Sequence, residues 1–305
     1  MNETAKRRAG FVAILGAPNV GKSTLLNRLV GTKVSIVTPK VQTTRRRIVG
    51  ITIRGDAQIM FVDTPGIFAP RARRHLERAM VRAAWAAAAD ADLVLVVVDA
   101  KRGLDRETRM VFDGLRDHPV PRFLVINKID LVKDKRLLLP LADEANRLLS
   151  FERTFFVSAE KGDGVGDLLE AVAGALPEGP WLFPEDQLTD LSNRALAAEI
   201  TREQVFLQLH EELPYAITVE TDGWAESPDR SEVRVDQTIY VARESHKPIV
   251  LGRGGQRIRS IGERARREME RVFGRRVHLF LFVKVRERWM EDPERYAQMG
   301  LEFPG

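Results

Sequence analysis

Gly16-Ala17-Pro18-Asn19-Val20-Gly21-Lys22-Ser23 is the stretch on which the fold turns. It satisfies G-x-x-x-x-G-K-[ST], the pattern of a loop whose backbone amides cradle phosphates. Upstream, residues 10–15 (GFVAIL) make a short apolar run predicted as a buried strand. Downstream, residues 24–30 (TLLNRLV) carry helical spacing, and Gly31 suits the C′ position of that helix. A strand, this loop and a helix, in that order, separate a phosphate loop from an ordinary glycine turn. The glycines permit close approach of the main chain, and the amides with the helix N-terminus supply positive potential. Lys22 is then expected on the outer phosphates and the Ser23 hydroxyl on Mg2+, with Thr24 completing the nucleotide-contacting run.

Outward from this loop, 32–46 lacks periodicity and reads as an exposed loop. Residues 48–52 and 58–62 read as two strands joined around Gly55-Asp56. Helices are predicted over 71–89, 105–115 (opened by Asp105 as N-cap), 137–149 and 165–176, and buried strands over 93–98, 123–126 and 154–157. Strands alternating with helices predict an α/β, doubly wound, mainly parallel sheet with ligands at the carboxyl ends of its strands.

Further motifs fall at those ends. Asp63-Thr64-Pro65-Gly66 places an acid where it can hold Mg2+ through water, and a Gly66 amide where it can bond a γ-phosphate. Asn127-Lys128-Ile129-Asp130 is more discriminating. Guanine offers N1–H and a 2-amino group to one carboxylate, which Asp130 can accept bidentately; adenine has no such donor pair and would leave Asp130 desolvated and unpaired. Asn127 is expected to fix the base edge and tie its loop to the phosphate loop, with the Lys128 stem over the ring. Ser158-Ala159-Glu160 closes the next strand, where a backbone N–H can meet the guanine carbonyl. The expected ligands are GTP or GDP with Mg2+.

The chain has 305 residues and no cysteine, which excludes disulfides and thiolate metal sites. Its five histidines show no metal-ligand spacing. Lys6-Arg7-Arg8 before an apolar run superficially resembles a secretory signal, but the run is short and leads straight into the phosphate loop. The most apolar later stretch, 83–98, is broken by Asp90 and Asp92 and is not a membrane span. A soluble, cytoplasmic protein is expected.

Pro177-Glu178-Gly179-Pro180 breaks the alternation. The boundaries expected are 8–176 for the nucleotide domain, 177–190 for a linker, 191–290 for a second domain and 291–305 for a tail. The second domain reads α-β-β-α-α-β: a helix over 191–210, strands over 216–220 and 232–242, helix 256–273 and a strand over 277–285. Between 243 and 276 stand eleven Lys and Arg against four Glu, a local excess of seven that exceeds the +5 of the whole chain. Gly252-Arg253-Gly254-Gly255 opens the basic helix after the apolar, strand-like run Ile249-Val250-Leu251. This is the G-x-x-G loop of a KH domain, which clamps a backbone of about four single-stranded nucleotides. Arg253 is placed for phosphate, and Arg257 and Arg259 continue the basic face. With few aromatics near the loop, groove shape and phosphate contacts should outweigh stacking.

The first domain resembles the translation-factor-related GTPases, in which Gln42-Thr43-Thr44-Arg45 matches the first switch. The resemblance implies that one threonine ligates Mg2+ in the triphosphate state; Thr43 is the expected ligand and Thr44 the alternative. Lys22, Thr43 and Gly66 are thus the expected catalytic set. Ile67 stands where Ras-type enzymes carry a water-positioning Gln, so slow intrinsic turnover is expected. Asn19 matches a position that helps bind K+ in related GTPases. Together with Pro18-Asn19-Val20, Leu213-Pro214-Tyr215, the G-x-x-G loop and Val277-His278-Leu279, nearly the whole chain resembles the Era-like GTPases, whose smaller α+β domain is a type II KH domain. The resemblance implies a monomer that binds the 3′ region of 16S rRNA, assists assembly of the 30S subunit and associates peripherally with the inner face of the membrane. A membrane-surface regulatory GTPase leaves the G-x-x-G loop without a use, and a P-loop ATPase or kinase is opposed by Asp130.

Overall fold

The apolar run of 93–98 lies at the heart of the first of two compact units in this computed structural model. The structure describes residues 7–40, 43–45, 47–69, 75–209, 213–287, 293, 296, 301 and 302. The first unit comprises 1–35, 44–190 and 297–305, and the second 36–43 and 191–296.

In the first unit, β1 (Arg8–Gly16) leads through the phosphate loop into α1 (Lys22–Val30). A hairpin of β2 (Ile48–Arg54) and β3 (Ala57–Asp63) follows, then α2 (His75–Ala89), β4 (Leu93–Asp99) and α3 (Arg106–Leu115). β5 (Arg122–Asn127), α4 (Leu138–Leu148), β6 (Arg153–Phe156) and α5 (Val165–Ala175) complete it. The part of the second helix expected before 75 lies outside the described residues. The strand order is β2-β3-β1-β4-β5-β6, with β2 antiparallel at one edge and the others parallel.

Every residue of β4 is buried, as a strand covered by helices on both faces requires. Each such valine contributes about 1.5–3 kcal/mol through burial of apolar surface. α3 begins where the sequence signals it: Asp105 Oδ1 accepts the Thr108 N–H at 2.9 Å, a cap worth about 1 kcal/mol. From β1 the chain turns to β3 on one side and β4 on the other, so the carboxyl ends of the central strands diverge above the phosphate loop. In register, Ile14 pairs with Asp63 and Asp99 with Asn127, which brings three motif-bearing ends to one rim.

The stretch 177–190, expected as a linker, belongs to the first unit. The buried Gln58 side chain explains part of this. Its Nε2 donates to Phe183 O at 2.7 Å, and its Oε1 accepts the N–H groups of Leu182 and Phe183. The Ile51 N–H also donates to Leu188 O at 2.8 Å.

The second unit runs α6 (Asn193–Gln208), β7 (Ile217–Glu226), β8 (Glu232–Val241), α7 (Lys247–Leu251), α8 (Gln256–Phe273) and β9 (Arg276–Val285). β7 pairs antiparallel with β8, and β8 parallel with β9. The run at 249–251 is helical, not strand-like: Pro248 sits in its first turn, where a missing N–H costs nothing. Ile261, Ala265 and Met269 place one buried stripe along α8 and leave its arginines outward. Val37, Lys40 and Thr43 bond to α6 or its C-terminal end. The Val37 N–H donates to Glu203 Oε1 at 2.8 Å, Arg202 donates to Thr43 O at 2.8 Å, and the Lys40 ammonium meets the carbonyls of Phe206 and Leu209 near the helix's C-terminal end.

Candidate nucleotide and nucleic-acid sites

Gly21 shows why the phosphate loop is written as it is. Its φ is +97°, in the left-handed region, and a Cβ there would collide with the Asn127 side-chain amide. Gly16, Ala17, Pro18, Asn19 and Val20 form the rest of the turn. Lys22 Nζ donates to Gly16 O at 3.1 Å and Ala17 O at 2.9 Å. Burial lowers its ammonium pKa to about 8, against the attraction of Asp63. A buried cation held by loop carbonyls, its charge disfavoured by burial, is a site for anionic oxygens. The Ile67 N–H donates to Gly16 O at 3.1 Å, which seats Gly66 against the loop. Ile67 itself is buried and brings no polar atom to the site.

Asp63 gathers hydroxyls. Its Oδ2 accepts from Ser23 at 2.7 Å, Ser35 at 2.8 Å and Thr44 at 3.3 Å. Its Oδ1 is buried with no hydrogen-bond partner, a costly state for a carboxylate oxygen unless something cationic meets it. Burial pushes this carboxyl above the ordinary range, against the hydrogen bonds of Ser23 and Ser35. Two hydroxyls and an orphaned carboxylate oxygen beside a phosphate loop fit Mg2+, which is bound through one or two carboxylates with substrate phosphates and keeps several waters.

Thr43 is the threonine expected in this group and Thr44 the alternative; in the structure it is the Thr44 hydroxyl that reaches Ser23 and Asp63. Thr44 Oγ1 lies 3.0 Å from Ser23 Oγ, whereas the Thr43 hydroxyl donates to Lys40 O at 2.8 Å and meets Thr38 Oγ1 at 2.6 Å. The two neighbouring hydroxyls thus point to different partners.

Asn127 is almost fully buried and joins three motifs. Its Nδ2 donates to Val20 O at 2.9 Å, the tie expected of it, and its Oδ1 accepts the Ala159 N–H at 3.0 Å. Lys128 adopts φ +64°, pairs with Asp99 at 2.7 Å and donates to Asn19 O at 2.5 Å. Asp130 is exposed, and its Oδ1 accepts from the buried Ser158 Oγ at 2.6 Å. That bond aims the carboxylate; motif reading had assigned the Ser158-Ala159-Glu160 stretch only a main-chain role. Asp99, Arg28 and Arg102 were also missed. Arg102 donates to Pro18 O at 2.8 Å, and Arg28 Nε donates to Ala159 O at 3.0 Å and its Nη2 to Glu160 O at 2.5 Å. An acid closing a strand, as Asp99 does, was the available signal.

In the second unit Gly252 has φ +72°, and a Cβ there would come within 2.7 Å of Arg257 Cβ. Gly254 and Gly255 also take positive φ in the turn that opens α8. Arg253 and Arg259 are exposed, while Arg257 Nη1 donates to Ile249 O at 2.8 Å and braces α7 against α8. Among the described residues, five of the eleven basic groups are ion-paired. Arg266 meets Glu270, Arg267 meets Glu263, Arg271 meets Glu268, Arg275 meets Glu226 and Arg276 meets Glu232. These pairs gather on the later turns of α8 and the start of β9, so the excess positive charge concentrates toward the G-x-x-G end.

Fold and sites together define a P-loop GTPase followed by a KH domain. Residues 11–128 match the family model described as 50S ribosome-binding GTPase, and 212–290 the KH domain model. GTPase Era of Afipia carboxidovorans is 58% identical over 297 residues, covering 97% of this chain and 95% of its own length. GTPase Era of Brucella suis is 55% identical over 302 residues, covering 99% and 96%. Among solved structures, an Aquifex aeolicus Era variant bound to GDP·AlF4− superposes with TM-score 0.90 at 41% identity, covering 96% of this chain and 99% of its own. Era in complex with MgGDPNP and nucleotides 1506–1542 of 16S ribosomal RNA gives 0.89, with the same identity and coverage. The chain belongs to the Era family of GTPases.

Proposed function

We propose that this GTPase binds the 3′ region of 16S rRNA through its KH domain, under control of its nucleotide state, and assists assembly of the 30S subunit in the cytoplasm. The observation that carries the reading is the G-x-x-G turn, with its excess positive charge, on a chain 41% identical to an Era solved with a 16S rRNA segment. The GTPase domain is assigned to 8–176 and the KH domain to 191–290, acting as a monomer.

Lys22 and the loop amides hold the phosphates; Ser23, Thr44 and Asp63 hold Mg2+, which neutralises developing phosphate charge when bound. Asp130, aimed by Ser158, reads the guanine edge. Ordering of 33–47 and of the loop after Gly66 by the γ-phosphate is the switch. The bonds of Val37, Lys40 and Thr43 to α6, with Thr44 next in the chain after Thr43, support a link from nucleotide state to the KH domain. K+ beside Asn19 is part of the proposal; equal turnover in K+ and Na+ buffers would remove it. Peripheral membrane association rests on family resemblance alone, and liposome co-sedimentation without RNA tests it.

The deciding experiment measures binding to the 3′-terminal 16S segment and to a scrambled oligomer, in GTP-analogue and GDP states, across a salt series. Tighter, sequence-selective binding with the GTP analogue is expected. Weak, unselective and steeply salt-dependent binding in both states would reduce the KH surface to a generic basic face.

A further inference from the structure

Ser35 belongs to none of the nucleotide-binding motifs, yet its side chain is fully buried against the cation-binding carboxylate. Asn27 of α1 holds it there. Asn27 Oδ1 accepts the N–H groups of Val34 and Ser35, each at 2.9 Å, and its Nδ2 donates to Ser35 O at 2.7 Å. These bonds fix the main chain of residue 35 from the helix that begins at Lys22 and Ser23. Three hydroxyls surround Asp63 Oδ2, but they are held differently. Ser23 and Thr44 are the cation's own ligands, so they donate only from wherever coordination puts them. Ser35 donates from a place set by α1.

We propose that Ser35 is a positioning residue for the Mg2+ site: its hydroxyl holds Asp63 Oδ2 so that the unpartnered Oδ1 faces the cation, and Asn27 sets Ser35 in place. The proposal rests on Asp63, Ser23 and Thr44 being the Mg2+ side chains. Outer partners of this kind commonly change metal affinity about 10–100-fold when removed.

The test follows release of a fluorescent GDP analogue from the full chain over a Mg2+ series and in EDTA. Ser35→Ala is expected to raise the half-saturating Mg2+ concentration about tenfold, with release in EDTA within about twofold of the parent. Ser35→Cys, a weaker donor of similar size, should fall between the two, and it serves if the alanine variant does not fold. An unmoved Mg2+ midpoint overturns the proposal, even if the melting temperature in EDTA drops, because the hydroxyl would then be structural only. If the parent's own release ignores Mg2+, the cation assignment and this inference fall together. A responsive parent with an unmoved Ser35→Ala variant sinks the inference alone.

Discussion

The hydroxyls of Ser23 and Thr44 stand 3.0 Å apart, although one opens a helix and the other lies in the loop before β2. Thr44→Ala should therefore lower Mg2+-dependent GTP turnover by about tenfold or more. Thr43→Ala, whose hydroxyl serves Lys40 O and Thr38 within the second unit, should cost less than about threefold. Turnover measured over a Mg2+ series distinguishes them, and the opposite ranking would restore Thr43 to the cation.

Asp130 can accept two donors from guanine only while its carboxylate is aimed, and Ser158 Oγ does the aiming at 2.6 Å. Asp130→Ala leaves both base donors unpaired, at about 1.5–3 kcal/mol each, so GTP affinity should fall about 10²- to 10⁴-fold. Ser158→Ala removes one supporting bond and should cost about 1 kcal/mol, roughly fivefold. Competition between GTP and inosine triphosphate, which lacks the 2-amino group, gives the control: the parent's preference should vanish in Asp130→Ala.

Most of the first domain was legible in the sequence because its signals are local. The loop pattern, the buried β4 run and the Asp105 cap each depend on neighbouring residues. What stayed hidden was long-range. The ties of 182–183 to Gln58, far upstream, leave no mark in the Pro-Gly break at 177–180. Ser35 and Arg102 act through a carboxylate and a carbonyl brought near only by the fold. Thr43 and Thr44 have like chemistry, and their facing is set by which hydroxyl reaches Ser23, something spacing does not encode. The helix at 247–251 was masked by Ile249 and Val250, whose β-branching imitates a strand.

Lys22 makes the empty site sensitive to pH. Burial lowers its pKa from 10.5 to about 8, so without phosphates Lys22 is charged, at a burial cost, below about pH 8 and gives up its proton above it. The sign follows: Lys22 destabilises the empty fold at pH below about 8, and the penalty is relieved as pH rises toward the unfolded value of 10.5. Bound phosphates favour the charged form and raise the pKa again. Nucleotide affinity should thus be flat in this group's contribution below pH 8 and fall above it, by up to about tenfold per pH unit. GDP titrations between about pH 7 and about pH 9 check this, and flat affinity across the range would mean that Lys22 stays charged in the empty loop.

The basic residues around α8 should divide into two kinds when tested against RNA. Arg253, exposed on the loop, is placed to meet phosphate, so Arg253→Asp together with Gly254→Asp should weaken RNA binding without changing GTP affinity. Each lost phosphate contact should lower the salt slope by about 0.7 on a single strand. Arg257 instead braces α7 by donating to Ile249 O at 2.8 Å. Arg257→Lys keeps the charge but loses the fixed fork. It should weaken RNA binding with the salt slope little changed, because the groove loosens while the charge remains. Arg271→Ala, in an ion pair with Glu268, should change neither affinity nor slope appreciably. Salt-series titrations of the three variants against the 3′-terminal 16S segment decide the matter. If Arg271→Ala and the loop variant lose the same slope, RNA contacts the whole helix and not its G-x-x-G end.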